Sequence, residues 1–289
     1  MVALEPARNT NKYITKETSK KYGPLLNEFI GTFFLVLTVC LSVGTFLNDL
    51  NTAGSLAPLS IGSILTVFVF AGGHISGGHY NPAVTFAIYL AGRGNIESFN
   101  RVLQYWTIQI FGATIAGLAA FGMSLGSGVA PNPDRKILWG VFFAELFYTF
   151  ALCWVVLNVA TTKAQAGNSF FGFAIGLTVT AGAVSIGDIS GCMLNPAVTV
   201  GLLLSDQITG GPYMGAWYVY LFAEFIAPCL AALLFYITSY EKEYFGAGST
   251  VQVKDPTPEM KAPPAPPAPV DAPTEKDMVD NPMQHQRKL

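Results

Sequence analysis

The sequence predicts an all-α membrane protein: six transmembrane helices plus two re-entrant half-helices, arranged as an inverted repeat. Three observations predict it. First, 51% of the 289 residues are hydrophobic and 12% are charged, about half the charged share of a soluble domain. Mean hydropathy is +0.43. Second, the apolar residues come in runs of about twenty between short polar segments, the length a helix needs to cross a bilayer. Third, one block occurs twice. Gly73-His74-Ile75-Ser76-Gly77-Gly78-His79-Tyr80-Asn81-Pro82-Ala83-Val84-Thr85 returns as Gly187-Asp188-Ile189-Ser190-Gly191-Cys192-Met193-Leu194-Asn195-Pro196-Ala197-Val198-Thr199. Nine positions are identical and the offset is 114 residues throughout, which marks an internal repeat.

In chain order, residues 1–22 carry Arg8, Lys12, Lys16, Lys20 and Lys21 and read as a basic cytoplasmic arm without the apolar core of a cleavable leader. A membrane domain is expected over 23–240, with repeat one at about 23–123 and repeat two at about 137–240. Its spans are expected at about 24–47, 57–73, 101–123, 137–160, 169–186 and 213–240. The apolar piece from Pro82 to Leu90 is about 13 Å of helix, too short to cross. Pro196 to about Leu204 is its counterpart. Residues 246–289 hold nine of the 18 prolines and few large apolar residues. Such a segment cannot bury a core and is expected to be a disordered, solvated tail. A tail-binding partner recognising the prolines of 263–269 is the weaker reading of it.

Basic residues orient the chain. With the N-terminus inside, only Arg135 and Lys136 of the 16 Lys and Arg fall outside, and both termini are cytoplasmic. The net charge of −2 says nothing about a nucleic-acid partner, and none is expected. Cys40, Cys153, Cys192 and Cys229 lie in or beside apolar runs and form no disulfide framework or metal-ligand spacing. No nucleophile–base pair or cofactor motif is present, so neither catalysis nor a cofactor is expected.

Three spans separate equivalent points of the two repeats, so the second copy enters the membrane inverted. Asn81 and Asn195 suit helix N-caps, and Pro82 and Pro196 the first helical turn. The two half-helices then aim their positive dipole ends at the bilayer centre. The stretch Gly72–His79 supplies non-helical backbone whose carbonyls can line a lumen. The expected product is a narrow pore with two Asn donors at its waist, a place hostile to cations and open to neutral molecules.

On the two Asn-Pro-Ala boxes (Asn81-Pro82-Ala83 and Asn195-Pro196-Ala197), the His74–His79 lead-in and the Glu28/Glu145 pair, residues 22–240 resemble the aquaporin / major intrinsic protein family. The resemblance implies a homotetramer in the lipid bilayer with one pore per subunit. Each pore would pass water and small neutral solutes such as glycerol, urea, ammonia or hydrogen peroxide. It implies that Glu28 and Glu145 brace the half-helix loops by accepting backbone N–H bonds. It places the selectivity constriction at Ile61, Ala183, Cys192 and Val198. Family members usually carry arginine after the second box, where this chain has Val198, and glycerol facilitators carry Arg-Asp, where it has Val198-Thr199. The expected ring is therefore wider and apolar, and the solute range broader than water. Cys192 matches the position that makes some members mercury-sensitive.

His79 reads either as a pH-sensing pore residue or as a neutral, hydrogen-bonded loop anchor. Glu224 is a third intramembrane carboxylate with no counterpart in the family pattern. It reads as functional by default, or as a group facing water or Tyr218 and Tyr220. Two other functions stay open at this point: a secondary transporter, which shares inverted repeats and broken helices, and a poorly conducting or gated scaffold.

Overall fold

In the computed structural model, residues 15–43, 53–124, 137–211 and 215–244 are described. They form eight α-helices and no strand: α1 Lys16–Val43, α2 Ala53–Ser76, α3 Pro82–Leu90, α4 Phe99–Met123, α5 Leu138–Ala160, α6 Phe171–Ser190, α7 Pro196–Thr209 and α8 Trp217–Glu243. Six of them, all but α3 and α7, are long and apolar enough to cross a membrane. Arg8, Lys12, Arg135, Lys136 and the Pro-rich 246–289 lie outside the described residues.

Three of the differences from the expected boundaries bear on how the site is built. Helix α1 starts at Lys16 rather than near residue 24, because the exposed segment Lys16–Tyr22 continues the helix out of the apolar zone. Helix α2 runs through Gly72, Gly73, His74 and Ile75 to Ser76, so irregular backbone is confined to 77–80. The helix absorbs the two glycines because its own ladder satisfies their backbone groups, which a membrane interior demands. Helix α7 has 14 residues, past Leu204, to a left-handed Gly210 at φ 75°. Its polar Ser205 and Asp206, which hydropathy assigns to a linker, are buried. At about 21 Å it is still too short to cross.

The two repeats meet on their small residues. A Cβ added to Gly62 of α2 would stand 2.5 Å from Gly176 O and 1.9 Å from Thr180 Oγ1. One added to Gly176 of α6 would stand 2.4 Å from Gly62 O and 1.9 Å from Thr66 Oγ1. Both pairs are related by the 114-residue offset of the boxes, so the pseudo-two-fold axis passes through this crossing. Backbones come together because only hydrogen fits between them, the usual basis of helix association in lipid. Gly201 of α7 against Ala113 of α4 brings a half-helix equally close to its neighbour.

Burial is inverted relative to a soluble protein. Trp139, Phe222 and Phe147 are 75%, 64% and 61% exposed, whereas Glu28, Glu145 and Glu224 are each 0% exposed. Apolar side chains outside and carboxylates inside suit a solvent of lipid tails.

Candidate pore and its waist

The site is built by two helix starts. Asn81 caps α3 in extended backbone, φ −157° and ψ 122°, with its side chain accepting from Ala83 N. Asn195 does the same for α7 at φ −157° and ψ 108°, accepting from Ala197 N. Each cap uses its Oδ1 on its own helix and its amide on the other. Asn81 Nδ2 donates to Leu194 O at 2.8 Å, and Asn195 Nδ2 donates to Tyr80 O at 3.0 Å. This reciprocal pair ties the tips of the half-helices together. Each Nδ2 carries two hydrogens and spends one here, leaving one on each side for a passing acceptor. Pro82 and Pro196 follow at the first helical positions, and Ala83 and Ala197 are 0% exposed behind them.

The loops ahead of the caps share one backbone path. Gly77, Gly78 and Tyr80 have φ 96°, 63° and 49°; their counterparts Gly191, Cys192 and Leu194 have 85°, 53° and 52°. Left-handed torsions cost little in glycine and about 1–2 kcal/mol in a residue with a Cβ. The loops hold them through buried braces. Glu28 Oε1 accepts from His79 N (3.0 Å) and Ser76 Oγ (2.5 Å), and its Oε2 from Tyr80 N (2.6 Å) and Gln109 Nε2 (2.8 Å). Glu145 accepts from Met193 N at 3.0 Å and Leu194 N at 2.8 Å. Tyr105 OH donates to Ser76 O at 2.8 Å, and Tyr220 OH donates to Ser190 O at 2.7 Å. Each brace closes a buried backbone group that would otherwise go unpaired.

One cavity of about 1080 Å³ is lined by Asn81 and Asn195 together with Ile61, Ala183, Cys192 and Val198. The two caps and the four positions expected at the constriction thus border the same space. His79 lines it as well; its Nδ1 stands 3.1 Å from Thr85 Oγ1 and its ring packs 5.3 Å from Tyr105. Ile61 and Ile175, one repeat apart, both face it. The charged residues of its wall among the described residues are Lys163 and Asp188, the latter seven positions before Asn195 in the second block. The described residues contain no group of three or more His, Cys, Asp or Glu that could hold a metal.

Sequence reasoning missed Gln109 and Tyr105, and named Tyr220 only as a neighbour of Glu224. Their signal is faint: Tyr105/Tyr220 and Gln109/Glu224 each recur at a spacing of 115 residues. Glu224 does not face water. Its Oε1 accepts from Asn195 N and Thr199 Oγ1, both at 2.9 Å, directly behind the second box.

Residues 15–236 match the family described as "Major intrinsic protein". The chain belongs to the major intrinsic protein family. It is therefore a membrane channel and not an enzyme. Among the similar proteins is Nodulin-26 of Glycine max, 32% identical over 250 residues, which are 83% of this chain and 88% of that protein. Another is Aquaporin AqpM of Methanothermobacter marburgensis, 32% identical over 242 residues, with 73% of this chain and 96% of AqpM covered. Glycerol uptake facilitator protein-like 6 of Lactiplantibacillus plantarum is 34% identical over 213 residues, with 72% and 94% covered. The solved aquaglyceroporin from Plasmodium falciparum shares the fold at a TM-score of 0.56 and 20% identity, over 76% of this chain and 96% of that one. The eight helices, six of them long and apolar enough to cross a membrane, thus match the fold of this family.

Proposed function

We propose that this major intrinsic protein conducts water and small neutral solutes, glycerol and urea among them, down their gradients. The observation that carries the reading is the waist: two Asn amides with one N–H each to spare, at the converging positive ends of two half-helices, on the wall of one shared cavity. A neutral solute accepts from those donors, while a cation meets two dipole ends, and the buried carboxylates Glu28, Glu145 and Glu224 do not line the cavity. Similarity to an aquaporin and to a glycerol uptake facilitator supports both kinds of cargo.

In this reading Ile61, Ala183, Cys192 and Val198 form the selectivity constriction. None offers a charged donor, so the ring admits broader solutes and stabilises polar ones less than an arginine would. His79 acts as a loop anchor through Thr85 and Tyr105. Four copies assemble with one pore each, and the basic residues hold both termini in the cytoplasm.

Stopped-flow shrinking of proteoliposomes under water, glycerol and urea gradients tests the assignment. Val198→Arg is expected to suppress glycerol and urea flux while sparing water. Unchanged solute flux in that variant would remove Val198 from the constriction. Flux that saturates with the gradient would point to a transporter.

A further inference from the structure

The two repeats brace their boxes with different chemistry at one position. In the first, Gln109 of α4 donates its Nε2 to Glu28 Oε2 at 2.8 Å and to Thr85 Oγ1 at 3.1 Å. In the second, Glu224 of α8 stands in that place. The equivalence rests on three contacts. Tyr105 and Tyr220, each four residues earlier, bond the matching carbonyls Ser76 O and Ser190 O. Thr85 and Thr199 meet Gln109 and Glu224. Glu28 and Glu145 accept from matching loop amides.

The substitution removes a donor and adds an acid beside another acid. Glu145 Oε2 accepts from Leu194 N and Glu224 Oε1 from Asn195 N, which are consecutive backbone amides. The two carboxyl groups therefore lie side by side, and both are 0% exposed. Their partners are backbone N–H groups and the hydroxyls of Thr199 and Ser190; no basic side chain bonds either one among the described residues. Glu224 Oε2 has no hydrogen-bond partner among the described residues. The other titratable groups facing the pair are Tyr220 on α8 and Cys192 in the loop, both acids. The positive end of α7 favours one negative charge here, and two buried unpaired charges are far too costly.

We propose that Glu224 is a positioning residue that works as a neutral carboxylic acid, sharing one proton with Glu145. Its carbonyl oxygen accepts from Asn195 N and Thr199. Its hydroxyl supplies the donor to Glu145 that Gln109 supplies to Glu28. The pair carries one negative charge, and the second cap, Asn195, is held by a hydrogen-bonded acid rather than by an ion pair. The assignment concerns the brace and does not depend on which solute crosses.

Infrared difference spectroscopy of the full-length protein in vesicles reads the proton directly. Wild type at neutral pH is expected to show the carbonyl band of a protonated, buried carboxylic acid, shifted in heavy water and lost in Glu224→Gln. Glu224→Gln, an amide donor like Gln109, is expected to keep water permeability within about twofold of wild type, because donor and acceptor are both retained. Glu224→Leu leaves Asn195 N–H unpaired and is expected to lower the midpoint of thermal unfolding. Absence of the band in wild type, or its survival in Glu224→Gln, overturns the proposal. So does loss of permeability in Glu224→Gln at wild-type thermal stability, which would show that a charge at 224 is required. The infrared arm stands even if a variant fails to fold, since it begins with wild type.

Discussion

Gly176→Ala tests the crossing on which the two repeats turn. The new methyl carbon would sit 2.4 Å from Gly62 O and 1.9 Å from Thr66 Oγ1. Thr66 can rotate its hydroxyl away, at the loss of its bond to Gly62 O. The Gly62 carbonyl is backbone and can retreat only with its helix. A tolerable contact needs α2 and α6 to part by roughly half an ångström or more, an overpacking change that costs about 1–3 kcal/mol. At about 2–4 °C per kcal/mol for a chain of this size, the thermal midpoint should fall by roughly 2–12 °C. The mirror variant Gly62→Ala meets Gly176 O at 2.5 Å and should cost about the same. Their combination is informative. Once one methyl has opened the crossing, the second finds room, so the double variant should lose less than the two single losses added together. Thr66→Ala should not rescue Gly176→Ala, because the backbone clash stays. The assay is thermal unfolding of the purified channel in detergent, with water permeability of proteoliposomes alongside. Ile61 and Leu65 on α2 and Ile175 and Val179 on α6 all face the cavity, so parting these helices should change flux as well. Wild-type stability in both single variants, or strictly additive losses in the double, would refute a close crossing at this point.

Three further outcomes are expected. Glu28→Gln replaces one of two acceptor oxygens by an amide facing the donors His79 N and Ser76 Oγ or Tyr80 N and Gln109 Nε2. Leaving one or two buried donors unpaired should cost about 1–3 kcal/mol each, read as a lower unfolding midpoint, in contrast to the mild Glu224→Gln. Asp206, outside the six spans at the end of α7, is buried without a partner for either carboxylate oxygen among the described residues, and burial raises its pKa. A folded pKa above the unfolded one favours the fold below the unfolded value and withdraws that benefit as pH rises, so Asp206→Asn should stabilise at pH 7 and not at about pH 3. Arg93 reaches Glu243 at 2.6 Å with side chains 12% and 3% exposed, and the same carboxylate accepts from Lys163 N. Arg93→Gln leaves that buried acid short of a charge and should cost about 3–5 kcal/mol, with faster amide exchange at Lys163 as the local sign.

The fold was legible because two independent periodicities agree. Span-length apolar runs gave the number of crossings, and the 114-residue offset gave their inversion. The half-helix starts were legible for a local reason: Asn followed by Pro admits few conformations besides a capped first turn. What escaped was held by tertiary contact. Gln109 and Tyr105 are unremarkable in sequence and become braces only when α4 lies against the first loop. Gly62 and Gly176 sit at the offset of the boxes with threonines four residues on, yet glycines are common in membrane helices and their meeting shows only in three dimensions. The end of α7 escaped because hydropathy scores Ser205 and Asp206 as surface, and the structure buries them.

The loops show which part of the site is fixed by sequence and which by packing. In the first repeat, Gly77 and Gly78 enter left-handed backbone at little cost. In the second, the same path is kept although Gly78 is replaced by Cys192, at φ 53°. A residue with a Cβ pays about 1–2 kcal/mol there and stays only if its surroundings over-determine it. They do: Cys192 N donates to Ser190 Oγ at 3.1 Å, and Glu145 holds the next two amides. The braces, not the glycines, therefore define the loop. Glycine at 192 would remove that strain, yet the chain carries a thiol on the cavity wall instead. The backbone cost is thus borne by a side chain that lines the same cavity as Val198 and the two caps.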